Sequence, residues 1–464
     1  MGIVHAKVGS RCPDLHDESE LVVDEQAICK HRQALNCVKA RVDRVNVDGL
    51  KRTKDDIIRG TVNELFKAKD FEDVIVRAQK VRQALDNLGC FRNVCVYIDV
   101  STGPDATPNG LEVTYQVREM SRLVGGVNAS VGEDEGNVVL DFKLPNIWGR
   151  GERAQAAYSL GYRNTCSFNI SGTKPILLHK FEPVVSASLY QQNQDYPWSG
   201  YRLLDRGLHV NVDLKTSPAV RHNIQWEALF RDLTVINKTS FAVRQSCGPQ
   251  LKSSLRHTIS MDSRDADIFP TEGLWLFISN ELAGIGGSVA NFKSEIQFQA
   301  NHMLSEESGV VLQTSGAFGV LHDVYGTMVS EHFFLGGPTS LRGFQQRGVG
   351  PHVDGQAVGG KMYWSGALHL YSPLPFASAE QGVLQLVKTH LFFNAGCLAF
   401  PERSNFKLST LSALVDARVA CGAGLCVQIG RTARLEINYV VPLKTHARDI
   451  PVSGLQFGVG AHFL

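Results

Sequence analysis

The chain has 464 residues, 43% of them hydrophobic, with 47 basic residues against 46 acidic ones for a net charge of +1. That balance leaves no basic surface of the kind nucleic-acid binding requires. No run of about 18 apolar residues occurs, which excludes a membrane-crossing helix but not a barrel that crosses with strands.

Residues 1–38 read as a polar leader without fixed structure. The stretch "MGIVHAKVGSRCPDLHDESEL" has no apolar core for a secretory signal, and Asp14, Asp17, Glu18 and Glu20 do not suit an acid-poor transit peptide. Ala6 stands where a myristoylation motif after Gly2 wants Ser or Thr. The ten cysteines form no C-x-x-C pair and read as free thiols of a reducing compartment.

A compact α/β unit is expected over 39–120. "ARVDRVNVDGL" is a strand that ends in a turn at Asp48-Gly49. Thr53 is placed to cap a helix, with Asp56 three residues on, and Ile58, Val62, Leu65 and Phe66 share one face. A second helix from about Phe71 carries Val74, Ala78, Val81, Leu85 and Leu88 at helical spacing, and Gly89 sits at its left-handed end. The alternating stretches 94–100 and 111–117 complete the order β-α-α-β-β.

Beyond Arg122 helical periodicity disappears. Strands of period two, broken by Gly, Asn, Asp and Pro turns, run through 121–464. Leu455, Phe457, Val459, Ala461 and Phe463 alternate with Gln456, Gly458, Gly460 and His462, and Leu435, Ile437 and Tyr439 alternate with Arg434, Glu436 and Asn438. A transmembrane strand takes roughly 9–11 residues, and this length at about 21 residues per strand and turn gives roughly sixteen. The fold class is therefore a transmembrane β-barrel of about sixteen antiparallel strands behind one small α/β domain. Segments 161–181 and 234–260 are too irregular to place.

Motifs of catalysis are missing or incomplete. "GQAVGGK" (355–361) has P-loop glycines but Met362 in place of Ser or Thr, and it runs into a strand. No H-E-x-x-H and no G-x-S-x-G occurs, so no bond-making chemistry, cofactor or metal is expected. The stretch "FFLGGPTSLRGFQQRGVGP" (333–351) stands apart. Its glycines specify a shaped loop, and Gly343 allows backbone conformations closed to other residues, all around one cation, Arg342.

These pieces resemble a known family. "LGCFRNVCVYID" in a β-α-α-β-β unit looks like a polypeptide-transport-associated (POTRA) domain. With "GGPTSLRGF" and a closing "LQFGVGAHFL", the chain is similar to the BamA-like outer-membrane insertase superfamily, whose barrel is of the bacterial-surface-antigen type. "GLKRTKDDII", "FKAKD", "LPNIWGR", "ELAG", "LHLYSPLPF" and "RLEINYVVPL" resemble the barrel subunits of the mitochondrial sorting and assembly machinery over residues from about 40 to 464.

The resemblance implies a barrel in the mitochondrial outer membrane with its POTRA domain in the intermembrane space. It implies a membrane-protein insertase, without bond-making chemistry, that folds and inserts β-barrel precursors. Precursor polypeptides, other sorting and assembly machinery subunits and membrane lipid would be its partners, and no nucleic acid. The resemblance also permits a role in cristae maintenance through an inner-membrane cristae-organising complex. A lateral gate would open between a first strand over 122–132, with Leu123, Gly125, Gly126, Val127 and Ala129, and a last strand carrying the β-signal Gln456, Gly458, Ala461 and Phe463. The loop motif Leu341, Arg342, Gly343, Phe344 would fold into the lumen. Arg342 would meet the neutral residues Asn394 and His369 on the wall, with Glu436 on a later strand as a source of charge. A polypeptide-translocating pore and a passive outer-membrane channel are the alternative readings.

Overall fold

The computed structural model describes residues 3–7, 38–102, 104, 106–131, 136–161, 165–176, 183–236, 239–374, 386–400, 416–430, 433–460 and 463. The backbone divides into two compact units. Met1–Gly126, Phe142–Ala156 and Ser171–Val184 form the first, and Val127–Asp141, Ala157–Ile170 and Val185–Leu464 the second.

The first unit holds β1 (Ile3–Lys7), β2 (Arg41–Asp48), α1 (Asp55–Val62), α2 (Phe71–Asn87), β3 (Phe91–Val100) and β4 (Gly110–Glu119). Their sheet order is β1-β2-β4-β3. β1 and β4 run parallel to β2, and β3 antiparallel to β4. So part of the leader is a strand rather than unstructured chain. An open sheet edge recruits a strand through backbone groups, which a polar composition does not forecast. Val74, Ala78, Val81 and Leu85 are the buried positions of α2, and they join Val45, Val47, Val113 and Tyr115 in one core.

Thr53 does not cap α1. The cap position is Lys54, without a side-chain bond. The Thr53 hydroxyl instead donates to Glu119 Oε1 at 2.8 Å and accepts from Asn146 Nδ2 at 2.8 Å. Glu119 collects three further backbone donors, from Lys51 (3.0 Å), Arg52 (3.0 Å) and Thr53 (2.9 Å). A carboxylate that accepts several N–H groups is a stronger partner than a lone helix end. The turn "LPNIWGR" belongs to the same unit: Lys54 N donates to Gly149 O at 2.9 Å, and position 149 requires glycine because φ is 85° and a Cβ there would lie 2.3 Å from Arg52 O. Residues 142–156 and 171–184 group with this unit.

The remaining strands are β5 (Val124–Val131), β6 (Gly136–Pro145), β7 (Arg153–Gly161), β8 (Cys166–Pro175), β9 (Val184–Tyr196), β10 (Tyr201–Lys215), β11 (Val220–Val235), β12 (Gly248–Asp262), β13 (Gly273–Gly287), β14 (Ala290–Ser305), β15 (Val310–Tyr325), a small hairpin of β16 (His352–Val353) and β17 (Gln356–Ala357), β18 (Met362–Pro373), β19 (Val387–Ala399), β20 (Arg418–Ile429), β21 (Ala433–Lys444) and β22 (Gly454–Gly460). A short helix, α3 (Phe241–Gln245), precedes β12. Leaving out the small hairpin, β5 to β22 form one sheet of sixteen strands in chain order, the barrel expected from strand length. The unplaced segments contain β8, the end of β11, α3 and most of β12. β5 begins two residues later than the expected first strand.

The faces are inverted relative to a water-soluble protein. On β21 Arg434, Glu436 and Asn438 are buried, whereas Tyr439 and Leu443 are each 59% exposed. On β19 His390 and Asn394 are buried and Leu391 and Phe393 are exposed. Polar groups inside and apolar groups outside are what period-two strands require when the outer solvent is hydrocarbon.

Candidate functional site

Between β15 and β18 the chain runs through 326–361, and this loop builds the site. Gly336 and Gly337 take φ of 111° and 116°, and Ser340 N closes a turn on Gly337 O at 3.3 Å. Leu341 and Phe344 are fully buried in a cluster with Leu335, Phe392, Ala420 and Val440, which fixes the backbone on both sides of Arg342. Gly343 has φ 89°, and a Cβ there would stand 2.8 Å from Ala420 Cβ. Glycine is needed both for the conformation and for the close approach.

Arg342 is 0% exposed. Its Nε and Nη2 donate to Glu436 Oε2 at 3.0 and 2.8 Å, and Arg434 Nη2 lies 3.0 Å from Glu436 Oε1. The guanidinium thus forms an ion pair with Glu436, while Asn394 Nδ2 donates to the Arg342 carbonyl at 3.3 Å. The expected side-chain bond to Asn394 is replaced by this backbone contact, because a charged acceptor holds a guanidinium more strongly than an amide does. His369 is held in a polar chain along the wall. Asn438 Nδ2 donates to Glu436 Oε2 at 2.9 Å, which leaves its Oδ1 to accept from His390 Nδ1 at 3.0 Å. His390 Nε2 then accepts from His369 Nδ1 at 2.9 Å, and His369 Nε2 faces Ser315 Oγ at 3.4 Å.

The last strand meets the same loop. Gly343 N donates to Gln456 Oε1 at 3.0 Å, and Gln456 Nε2 donates to Phe344 O at 3.2 Å. One primary amide satisfies one donor and one acceptor of the loop backbone. Gly458 pairs with Glu436 across the ladder, and a Cβ on it would lie 3.0 Å from Pro338 Cβ. Phe463 departs from the expected alternation. It is buried where Leu455 and Phe457 are exposed, with Arg434 and Arg342 at 4.4 and 5.5 Å from its ring. It follows the described strand, and two desolvated cations over its face favour the inward position. Ala461 lies outside the described residues.

β5 and β22 stand at the two ends of the sheet order. Gly125, Gly126, Val127 and Ala129 lie on β5, Leu123 just before it, and Leu123 and Val127 are exposed. Among the described residues a Cβ on Gly125 would meet just the Phe142 ring, at 3.6 Å, so crowding does not demand glycine there. The sequence placed Arg434 and Asn438 on the polar face of their strand without giving them a role, and did not single out His390 or Asp449. Asp449 takes Arg418 Nε at 3.0 Å and Gly350 N at 3.0 Å, a second attachment of the loop. Inward-facing polar residues in alternating strands were the available signal.

His390, Cys426 and Glu436 bring ligand atoms within 4.8 Å of one another. Both His390 nitrogens are engaged and Glu436 is shared by two guanidinium groups, so this donor set serves an ion-pair network and does not fit a metal ion.

Residues 146–463 match the Omp85 superfamily domain. The chain is 40% identical over 478 residues to a sorting and assembly machinery component 50 homolog of Xenopus tropicalis and 39% identical to that of Homo sapiens, covering 100% of both partners in each case. It is 36% identical to a SAM50-like protein of Drosophila melanogaster over 93% of this chain and 96% of that one. BamA from Haemophilus ducreyi lacking POTRA domains 1–3 superposes with a TM-score of 0.71 at 17% identity, over 91% of this chain and 84% of that chain.

Proposed function

The chain belongs to the Omp85 superfamily and, within it, to the sorting and assembly machinery component 50 homologues, and on that premise we propose that it folds and inserts β-barrel precursors in the mitochondrial outer membrane. The observation that carries this reading is the docking of the loop on the last two strands. Arg342 holds β21 through Glu436, and Gly343 and Phe344 hold β22 through Gln456.

The N–H and C=O groups of an incoming strand are expensive to leave unpaired in lipid. The insertase offers them a sheet edge by parting β5 from β22, and the precursor strand adds to that edge. Gln456, Gly458, Ala461 and Phe463 then act as an internal copy of the precursor's signal, which the client replaces. The precursor's polar residue takes over the two bonds of Gln456, while Arg342 keeps the loop on β21. The POTRA domain faces the intermembrane space in this reading. Other sorting and assembly machinery subunits, and an inner-membrane cristae complex at the POTRA sheet, are its proposed partners.

The test uses mitochondria depleted of the chain and re-supplied with wild type or Arg342→Ala. A labelled porin precursor and a matrix protein are imported in parallel, and assembly is followed on native gels. Loss of porin assembly with matrix import intact, restored by wild type alone, is expected. Equal loss of both points to a translocating pore, and no loss of either to a passive channel or a cristae anchor.

A further inference from the structure

The loop carries a second buried charge, of opposite sign and aimed at a different part of the wall. The turn Val329–Glu331 places Glu331, 7% exposed, among cations of three strands. Arg231 Nη1 on β11 donates to Oε1, and Lys252 Nζ on β12 donates to Oε2 at 2.8 Å. Lys293 Nζ on β14 donates to the Glu331 carbonyl at 3.1 Å.

These cations are themselves positioned. Arg231 Nε and Nη2 are fixed on Asp205, both at 2.9 Å, which aims Nη1 at the loop, and Lys252 is 2.6 Å from Glu281. Met328 and Val329 pack with Tyr201, Leu203 and Leu233 beside this cluster, and Arg347 returns to the same side with Nη1 on Ser199 Oγ at 3.0 Å and on Tyr201 Oη at 3.2 Å.

Glu331 and Arg342 are eleven residues apart (342 − 331), yet they meet strands eight places apart in the sheet, β11 and β21. The segment between them spans the lumen. With one end tied, each residue of that span keeps two soft dihedrals, and the tip wanders. With both ends tied, the tip is held in place before any client arrives.

We infer that Glu331 is a positioning residue of the insertion reaction, anchoring the loop on β11 and β12 so that Gly343 and Phe344 stay at the height of Gln456 when β22 gives way. This rests on the insertase reading above. Glu331 touches no client; it acts through the loop.

The experiment reads loop position and activity separately. Pro338→Cys and Gly458→Cys are introduced together; a Cβ on Gly458 would lie 3.0 Å from Pro338 Cβ, within disulfide reach after a small outward shift. The yield of the oxidised crosslink is measured in membranes against each single substitution, with and without Glu331→Gln. Precursor assembly is measured for Glu331→Gln, with Glu331→Asp as the conservative control. The amount and heat resistance of the folded barrel report a purely structural effect.

Glu331→Gln is expected to lower crosslink yield and precursor assembly on the order of ten-fold with the barrel retained, and Glu331→Asp to recover part of both. Unchanged crosslink yield overturns the anchor, and a lowered crosslink with normal assembly overturns its part in insertion. If Glu331→Gln does not accumulate, Arg231→Lys keeps the charge but loses the fork and should lower the crosslink in the same way. An unchanged crosslink there, or failure of that variant to accumulate as well, leaves Glu331 a structural residue and rejects the proposal. Normal precursor assembly after depletion of the whole chain would sink the insertase reading while the crosslink result stood.

Discussion

The side chains of Arg342 and Glu436 are each about 1% exposed, so neither has water to turn to if its partner is removed. Removing one member of a buried pair typically costs about 3–5 kcal/mol, because the other charge stays behind unpaired. Arg434 still reaches Glu436, which places Arg342→Ala toward the lower end. The expected outcome is a barrel that accumulates with a loosened loop and several-fold slower precursor assembly, read by limited proteolysis within 333–351 and by native gels. Normal protection and normal assembly together would reject the role of this pair. Gly343→Ala adds one methyl at φ 89° against Ala420. It should impair assembly comparably although no charge changes, since the left-handed conformation costs roughly 1 kcal/mol for a residue with a Cβ and the contact adds to it.

The element with the clearest pH signature is β4 with its terminal Glu119. Burial alone would raise this carboxyl, but the N–H groups of Arg52, Thr53 and Lys51 and the Thr53 hydroxyl outweigh it and pull the pKa down to about 2. Its value in the unfolded chain is near 4.5. A lowered folded-state pKa stabilises the domain above the unfolded value, and that stabilisation is lost as pH falls from about 5 toward 2. Discounted for solvent screening at a carboxyl that is only partly buried, the full effect is on the order of 1–2 kcal/mol. The unit is measured within the full chain, because residues 142–156 and 171–184 belong to it and Asn146 bonds Thr53. Its thermal midpoint should fall steeply below about pH 4.5 and Glu119→Gln should flatten that dependence. An identical pH profile in the variant would show that other carboxyls carry the acid sensitivity.

At the scale of the whole molecule the inversion of faces is the governing fact. Leu391 is 53% exposed on the outer face of β19, flanked in sequence by the inward-facing His390 and Phe392. A cation on the lipid face near mid-membrane costs roughly 2–4 kcal/mol, far more than on the surface of a soluble protein. Leu391→Arg should therefore lower the amount of membrane-integrated barrel, scored by resistance to alkaline extraction, more than Lys388→Gln near the strand end. Equal recovery of both would argue against lipid at that face.

Much was legible before the fold was known because it is written in period. Alternation at 434–439 and 455–460 displays the inner and outer faces directly, and helical spacing from Val74 to Leu88 displays the buried side of α2. Glycine identity at Gly336, Gly337 and Gly343 marked a shaped loop, since only special backbone conformations demand it. What the sequence could not provide is which distant groups meet. Thr53 suits a helix cap by local chemistry, but Glu119, 66 positions away, competes for its hydroxyl and wins. Arg342 has no acid nearby in the chain, and only the folded sheet of sixteen strands brings Glu436 to it across 94 positions. Phe463 follows an apolar alternation yet turns inward under two guanidinium groups. Spacing along a chain fixes which face a side chain occupies, whereas its partner across the lumen depends on register and closure, which exist only in the folded sheet.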